Sequence, residues 1–511
     1  MTSLGKNCYV GTLNYKKLVP PVSTLEKAFI ADTDIEEGKV VQLKTNGNIE
    51  AISGSESVAP AFPIQPYQAF AGTGSGGIKR NSVMYADLNK VIIGVTNLAG
   101  TNIRLYYADI DKTSSTPLDF APVQSIYTAS GTITFVECYL DKLYKDPSKA
   151  RGISVFVETG GSAPGTWVIG WEYDYSTKVA SAGTKVQIDA SSTEVGAVWV
   201  DINKFFTFTT LGNLQLNLID WTNFTITPQT PVSSVATGIQ NQPRLTQYQT
   251  GGDLYVLCWF QKGFRITCVP VKVDFPTFTI GVESQGTVGG NHAVTSEMLP
   301  GNIWYILANQ NSPGVGIFDW TFDIPNLTCS QTAPPSGTNV SSGGPMAIEY
   351  LPVAGVDYLV WFSEGYISNI PFAGYYNLAT AANAPFTLTP SAPADWGALG
   401  VIDEDKDIVF AWTGTADGRA CVCNLGDRTT NLNADRIIGV SKETKVTGQE
   451  VDIELLGSLS ELTTNETFVP TKEVYVDFEG VVSQQPKIGE VSIGKALSSN
   501  QALLHTTPVE L

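Results

Sequence analysis

Histidine is almost missing from this chain: only His292 and His505 occur in 511 residues. An imidazole-ligated metal centre needs several histidines, and none can be assembled from these two. His292 follows the turn Gly289-Gly290-Asn291, and His505 lies near the chain end, so both are expected at exposed or structural positions. Basic residues are also scarce. Against 49 Asp and Glu there are 31 Lys and Arg, a formal charge of −18. This balance argues against nucleic-acid binding, which needs clustered cations to neutralise phosphates, and equally against an anionic membrane surface. Seven cysteines in a chain of this length are too few for a disulfide framework. Cys258 and Cys268 flank a turn symmetric about Gly263, which would let them face each other across a hairpin; two buried thiols are expected, with a bridge as the alternative. Cys421 and Cys423 are separated only by Val422, the wrong spacing for paired zinc ligands. No apolar run reaches membrane-spanning length and no charged-then-apolar leader opens the chain, so neither membrane insertion nor classical export is expected.

Helical periodicity is scarce as well. Gly (48) and Pro (28) are abundant, aromatics make up 10%, and Val, Ile, Thr, Tyr and Phe fill the apolar runs. This is the composition of a β-rich protein. One stretch recurs: a small polar turn running into a dense apolar strand, clearest at 252–260, 301–309 and 355–362, with looser versions at 88–95, 151–158, 201–209 and 406–412. Aligned on Val91, Ile153, Phe205, Leu254, Ile303, Tyr358 and Ile408, the spacings are 62, 52, 49, 49, 55 and 50. Further strands follow in each unit, as at 102–107, 166–171 and 213–218, and sometimes an outer one, as at 221–226. A period near 50 with three or four strands per unit marks a repeat architecture, and packing such units around a ring is the logic of a β-propeller. The kelch and WD40 signatures are absent. The Asp-Trp pairs at 220–221 and 319–320 read as packing between repeats.

Before the repeats, Asn46-Gly47 is a hairpin signal between strands at 39–43 and 48–52, and the Gly-, Ser- and Pro-rich stretch that follows reads as a linker. After residue 431 the period stops, and short strands joined by glycine turns form a compact β domain. The expected fold is therefore all-β: about seven blades of a β-propeller inserted in a small split β-sandwich or barrel-like domain. Its boundaries are 1–55 for the first strands of the split domain, 56–77 for the linker, 78–430 for the propeller and 431–511 for the rest of the split domain.

No catalytic, cofactor-binding or metal-ligating residue is assigned from the sequence. Gly-x-Ser-x-Gly elbows, phosphate-binding loops and His-Glu-x-x-His are all lacking. Carboxylates are the remaining candidates for chemistry, because propeller glycosidases use paired Asp and Glu. The densest acidic cluster, Asp403-Glu404-Asp405-Lys406-Asp407, reads first as a solvated turn, and Glu283 and Glu364 likewise. Asn-x-Ser/Thr sequons at Asn223, Asn326, Asn339 and Asn465 are no more than a Thr-rich chain supplies by chance.

The terminal segments carry a resemblance. Ile-Ile-Gly-Val at 437–440, the alternating strand between Gly448 and Gly457, Tyr-Val at 475–476 running to Gly480, and the closing stretch 493–504 form an ordered series, completed by the strand pair at 38–52. The series resembles the small β domain of surface-attached virion proteins of tailed phages and large DNA viruses, of the head- or tail-fibre or capsid-decoration type. The resemblance implies a non-enzymatic virion structural protein, a fibre or decoration component whose propeller is exposed for host-surface recognition. Implied partners are other virion proteins of capsid or tail, a host surface glycan and further copies of the chain in a homo-oligomer, with no cofactor. The alternative is a free carbohydrate-binding or glycoside-processing propeller.

Overall fold

The computed structural model describes residues 26–504 except 59–66, 72–82, 230–232, 290–292, 300–302, 311–313, 332–338, 342–344, 365–370, 388–396, 403–406, 414–416, 463–466, 485–490 and isolated single residues and pairs. The chain divides into two compact units. One joins Met1–Ser55 to Arg428–Glu510, and the other is Glu56–Asp427.

The terminal unit contains two five-stranded sheets. In the first, strands from both ends of the sequence interleave: Glu26–Ile30 pairs with Glu450–Leu455, and Val40–Leu43 pairs with Ile437–Ser441. The expected hairpin is present, with Gly47 at φ +85° and Val41 opposite Ala51. Only glycine adopts that φ without strain, which fixes the turn and hence the register. The second sheet uses only residues after 458 and packs on the first through Val40, Ile52, Val440, Val474, Ile493 and Leu504, all buried. Asn431 fastens the two halves of the unit. Its amide donates to Ser53 O at 3.1 Å, its side-chain nitrogen donates to Ala51 O at 2.9 Å, and its side-chain oxygen accepts from Ser53 N at 2.8 Å.

Among the described residues the central unit holds seven successive antiparallel sheets. Their first strands are Val83–Asp87, Thr132–Leu140, Val195–Asp201, Asn241–Thr250, Ala293–Leu299, Pro345–Val353 and Gly397–Ile402. The recurrent apolar stretch is the second strand of each sheet rather than its first. The physical reason lies in its surroundings. A second strand has a neighbour on each edge, and both of its faces are covered by side chains of other sheets. On Lys90–Thr96, Ile92 joins a cluster with Val136 and Cys138 of the second sheet, while Val91, Ile93 and Val95 join Val409 and Ala411 of the seventh. On Asp253–Lys262, Val256, Cys258 and Phe260 face the third sheet, and Tyr255, Leu257 and Trp259 face the fifth. Val360 and Phe362 likewise meet the seventh sheet while Leu359 and Trp361 meet the fifth. With both faces buried, such a strand reads as continuously apolar. Trp171, Trp259, Trp320, Trp361 and Trp412 are the largest fully buried side chains. Two lie over a glycine on the adjacent strand: a Cβ on Gly152 would sit 2.3 Å from the Trp171 ring, and one on Gly374 2.5 Å from Trp361.

The seventh sheet is completed by a strand from the segment expected as a linker. Gln68–Ala71 pairs antiparallel with Asp417–Asn424. This strand of four residues has no repeat signature, and its pairing is set by what it touches. Phe70 is buried against Tyr106 and Phe120 of the first sheet at ring-centroid distances of 4.8 and 5.3 Å. The Gln68 side chain brackets the Leu118 backbone, accepting from its N–H at 2.6 Å and donating to its carbonyl at 2.7 Å. The strand therefore joins the last sheet to the first. Replacing Phe70 by Ala should destabilise the central unit by about 3–5 kcal/mol, the usual cost of deleting a buried phenyl ring. Urea denaturation followed by tryptophan fluorescence measures this, since the buried tryptophans report on the same unit.

Candidate functional site

The first strand of the second sheet, Thr132–Leu140, carries a carboxylate in an apolar setting. Glu137 is fully buried, between Val136 and Cys138. Its neighbour in space comes from more than a hundred residues away. Arg244, on the first strand of the fourth sheet, puts Nη2 2.6 Å from Glu137 Oε1. The first strand of the third sheet lies between them in sequence order. It admits the close approach because Gly196 has no side chain: a Cβ there would lie 2.5 Å from Pro243 O and 3.1 Å from Arg244 Cα. Arg244 Nη1 also donates to Pro243 O at 2.9 Å. Tyr139 completes the group, its hydroxyl donating to Glu137 Oε2 at 2.6 Å. Burial, and then the Glu137 charge, push the Tyr139 pKa well above its ordinary value, so it stays a phenol. Glu137 is thus ion-paired with Arg244 and accepts a neutral hydrogen bond from Tyr139 in a water-poor setting, where each interaction is stronger than at a surface.

Asp141 follows on the same strand parity, at the start of the hairpin leading to Lys149–Thr159. It is 1% exposed. Burial pushes its pKa up to about 7. The backbone N–H groups of Leu143 and Tyr144 and the charge of Arg151 act against that rise, while Asp201 adds to it. Around the hairpin, Arg151 Nε sits 2.8 Å from Glu172 Oε2, and the guanidinium lies 4.0 Å over the Tyr144 ring and 5.1 Å from the Trp221 ring. Trp221 in turn stacks on Trp199 with centroids 5.9 Å apart. A carboxyl titrating near neutrality beside a cation and aromatic faces is the chemistry from which a proton-transfer site is built.

A third buried carboxylate behaves in the opposite way to Asp141. Burial would raise Glu158, but it accepts from Lys185 Nζ at 2.5 Å, the Tyr127 hydroxyl at 2.7 Å, the Ser130 hydroxyl and amide at 2.9 Å, and Gly131 N at 3.0 Å. These donors outweigh desolvation and hold its pKa down at about 2. Glu158 is a fixed anion joining the first two sheets, whereas Asp141 changes charge in the neutral range.

The residues singled out from sequence fall elsewhere. Asp407 is buried and accepts from Asn424 Nδ2 at 2.7 Å, while 403–406 lie outside the described residues, as do His292 and His505. Glu283 pairs with Lys262 at 2.7 Å, and the Glu364 side chain is outside the description. Cys258 and Cys268 occupy opposite faces: Cys268 is in register with Trp259, Cys258 with Val269. Alternation in a strand reverses the facing when pairing shifts by one residue, so the symmetric-turn reading is corrected on that point; both are free, buried thiols. Trp320 packs with Trp259 between the fourth and fifth sheets, and Trp221 against the cluster between the second and third. Among the described residues no cluster of His, Cys, Asp and Glu has the makings of a metal site. Glu137, Asp141 and Arg244 were not selected from sequence. The available signal was a glutamate inside an apolar strand, which by itself names no partner.

No protein-family model and no curated protein matches the chain. Solved structures do. A Bacteroides uniformis protein provisionally assigned as a 6-phosphogluconolactonase aligns at 12% identity and a TM-score of 0.42, over 59% of this chain and 83% of its own. A Bacteroides fragilis protein with the same provisional assignment aligns at 11% identity and 0.42, over 73% and 98%. The expectation that the chain is not an enzyme is corrected by this finding, since both structures bear the name of an enzyme. At this TM-score the likeness assigns neither a reaction nor a residue here. Missing motifs speak only for residues close in sequence, and folding brings Glu137 to Arg244 from distant strands.

Two outcomes test the site. Because the folded pKa of Asp141 lies above its ordinary 3.8, its contribution to folding is fully present below about pH 3.8 and is lost progressively as pH rises from there through about 7. Asp141→Asn should therefore raise stability at pH 8 more than at pH 5, the difference being roughly 2–3 kcal/mol, measured by urea denaturation at the two pH values. Glu137→Gln should destabilise by about 3–5 kcal/mol, because Arg244 is left buried without its counter-charge. A thermal melt of the double variant Glu137→Gln/Arg244→Met, recovering most of that loss, would identify the unpaired charge as the cause.

Proposed function

We propose that the chain is a virion structural protein, a fibre or decoration component, in which the terminal unit anchors to capsid or tail and the central unit meets a host surface. In this reading the central unit closes as a seven-bladed propeller, with Gln68–Ala71 supplying the outer strand of the last blade. The observation that carries the proposal is the interleaved sheet. Strands from residues 26–43 and 437–455, the segments whose order resembles the virion family, pair with one another rather than forming separate domains. Clustered packing of each central sheet with the next, returning from the seventh to the first, supports the ring. A ring whose ends meet can be inserted between two strands at little entropic cost, because the loop it closes is already closed.

A second reading is favoured by Asp141 and its surroundings: a propeller that binds or processes carbohydrate. A carboxyl with a pKa near 7 suits a general acid, and the Tyr144 and Trp221 rings with Arg151 offer stacking and hydrogen-bonding groups of the kind sugars use.

Peptide mass spectrometry of purified particles from the source organism separates the two. Stoichiometric recovery of this chain with particle proteins is expected. Its absence from particles, together with glycan binding by the recombinant chain that Asp141→Asn weakens, would replace the first reading by the second.

A further inference from the structure

We propose that Cys268 and Cys329 are a disulfide-forming pair that fastens the fourth central sheet covalently to the fifth. Their sulfurs lie 3.2 Å apart, although the residues stand 61 positions apart in sequence. Both are buried, at 0% and 4% exposure, and both are free thiols here. Cys268 is on the third strand of the fourth sheet, Arg265–Asp274, and Cys329 on the short outer strand Thr328–Gln331 of the fifth.

The approach is set by backbone contacts on both sides of the sulfurs. Ser284 is the cross-strand partner of Cys268, and its hydroxyl accepts from Cys329 N at 3.3 Å. Two residues earlier, Val282 N donates to Leu327 O at 3.0 Å. Gly281 makes that approach possible, since a Cβ there would lie 2.3 Å from Leu327 O. Each cysteine is thus fastened to the same short segment, 281–284, and the sulfurs have no room to drift apart. A bond of about 2.05 Å needs the sulfurs to close by little more than an ångström, within side-chain rotation. Cys138 instead bonds the Ser154 hydroxyl at 3.1 Å, and Cys258 faces the third-sheet side.

The chemistry is thiol–disulfide exchange with a small-molecule disulfide. One cysteine, as thiolate, attacks that disulfide and releases one small thiol. The second cysteine then displaces the other small thiol from the mixed disulfide. The protein dithiol loses two protons and two electrons, and the oxidant becomes two thiols. Burial pushes the Cys268 thiol well up, which opposes thiolate formation in the closed state. Exchange is therefore slow in the folded protein and proceeds through opening of this edge or during folding. Once formed, the bond closes a long loop and stabilises the fold.

The test uses the full chain incubated with oxidised glutathione, then alkylated under denaturing, non-reducing conditions and digested. The expected result is one peptide pair linking Cys268 to Cys329, and a melting temperature raised on the order of 5 °C and returned by dithiothreitol. Cys258→Ala should keep both effects, while Cys268→Ala and Cys329→Ala each remove them. The linked peptide is read on the native sequence, so a poorly folding variant does not decide the matter. Alkylation of both cysteines after oxidation, glutathione adducts alone, or a link to any other cysteine would overturn the proposal.

Discussion

Every sheet of the central unit depends on one constraint: it is apolar on both faces and cannot cover either by itself. Alternate side chains of a single strand enter two different cores, as Ile92 and Ile93 do on the first sheet and Val256 and Leu257 on the fourth. Burial of each such side chain is worth about 1.5–3 kcal/mol, and half of it is lost if either neighbouring sheet is missing. No sheet is therefore stable alone, and the first and seventh must find each other. The glycines under Trp171 and Trp361 follow from the same demand, since a broad ring fits between sheets only where the strand beside it carries no side chain.

Polar groups within this apolar frame are divided by how completely they are served. Glu158 has five donors and stays charged over the whole working range. Glu137 is held by Arg244 and Tyr139. Asp141, just past the end of the same strand, has the backbone amides of its hairpin and the charge of Arg151 to favour ionisation, but burial outweighs them, so its charge is given up near neutrality. Carboxylates on neighbouring strands thus acquire opposite properties from their surroundings alone.

Much of the architecture was legible in the sequence. Second strands such as Asp253–Lys262 stood out because double-sided burial writes itself as an unbroken apolar run, and the Asn46-Gly47 turn because few residues adopt its backbone. First strands were less visible. Asn241–Thr250 reads as polar alternation, and its arginine gains meaning only from Glu137 across the intervening strand. Gln68–Ala71 was invisible for a related reason: four residues carry no period, and only the Tyr106 and Phe120 rings give Phe70 its place. The cysteines show the limit most plainly. Symmetry about Gly263 suggested a facing pair, yet register put Cys268 on the other face, where its nearest sulfur belongs to a residue in a different repeat.

The late-closing strands also have a consequence for how the molecule is made. Gln68–Ala71 leaves the ribosome long before its partner Asp417–Asn424, and Glu26–Ile30 waits longer still for Glu450–Leu455. At ordinary elongation rates the interval is on the order of half a minute, during which both strands present unpaired edges. Neither unit can finish before the other end of the message has been read. A chain released early is thereby left with open β edges in both units, and a cell's quality control would meet every incomplete copy as an unfolded one.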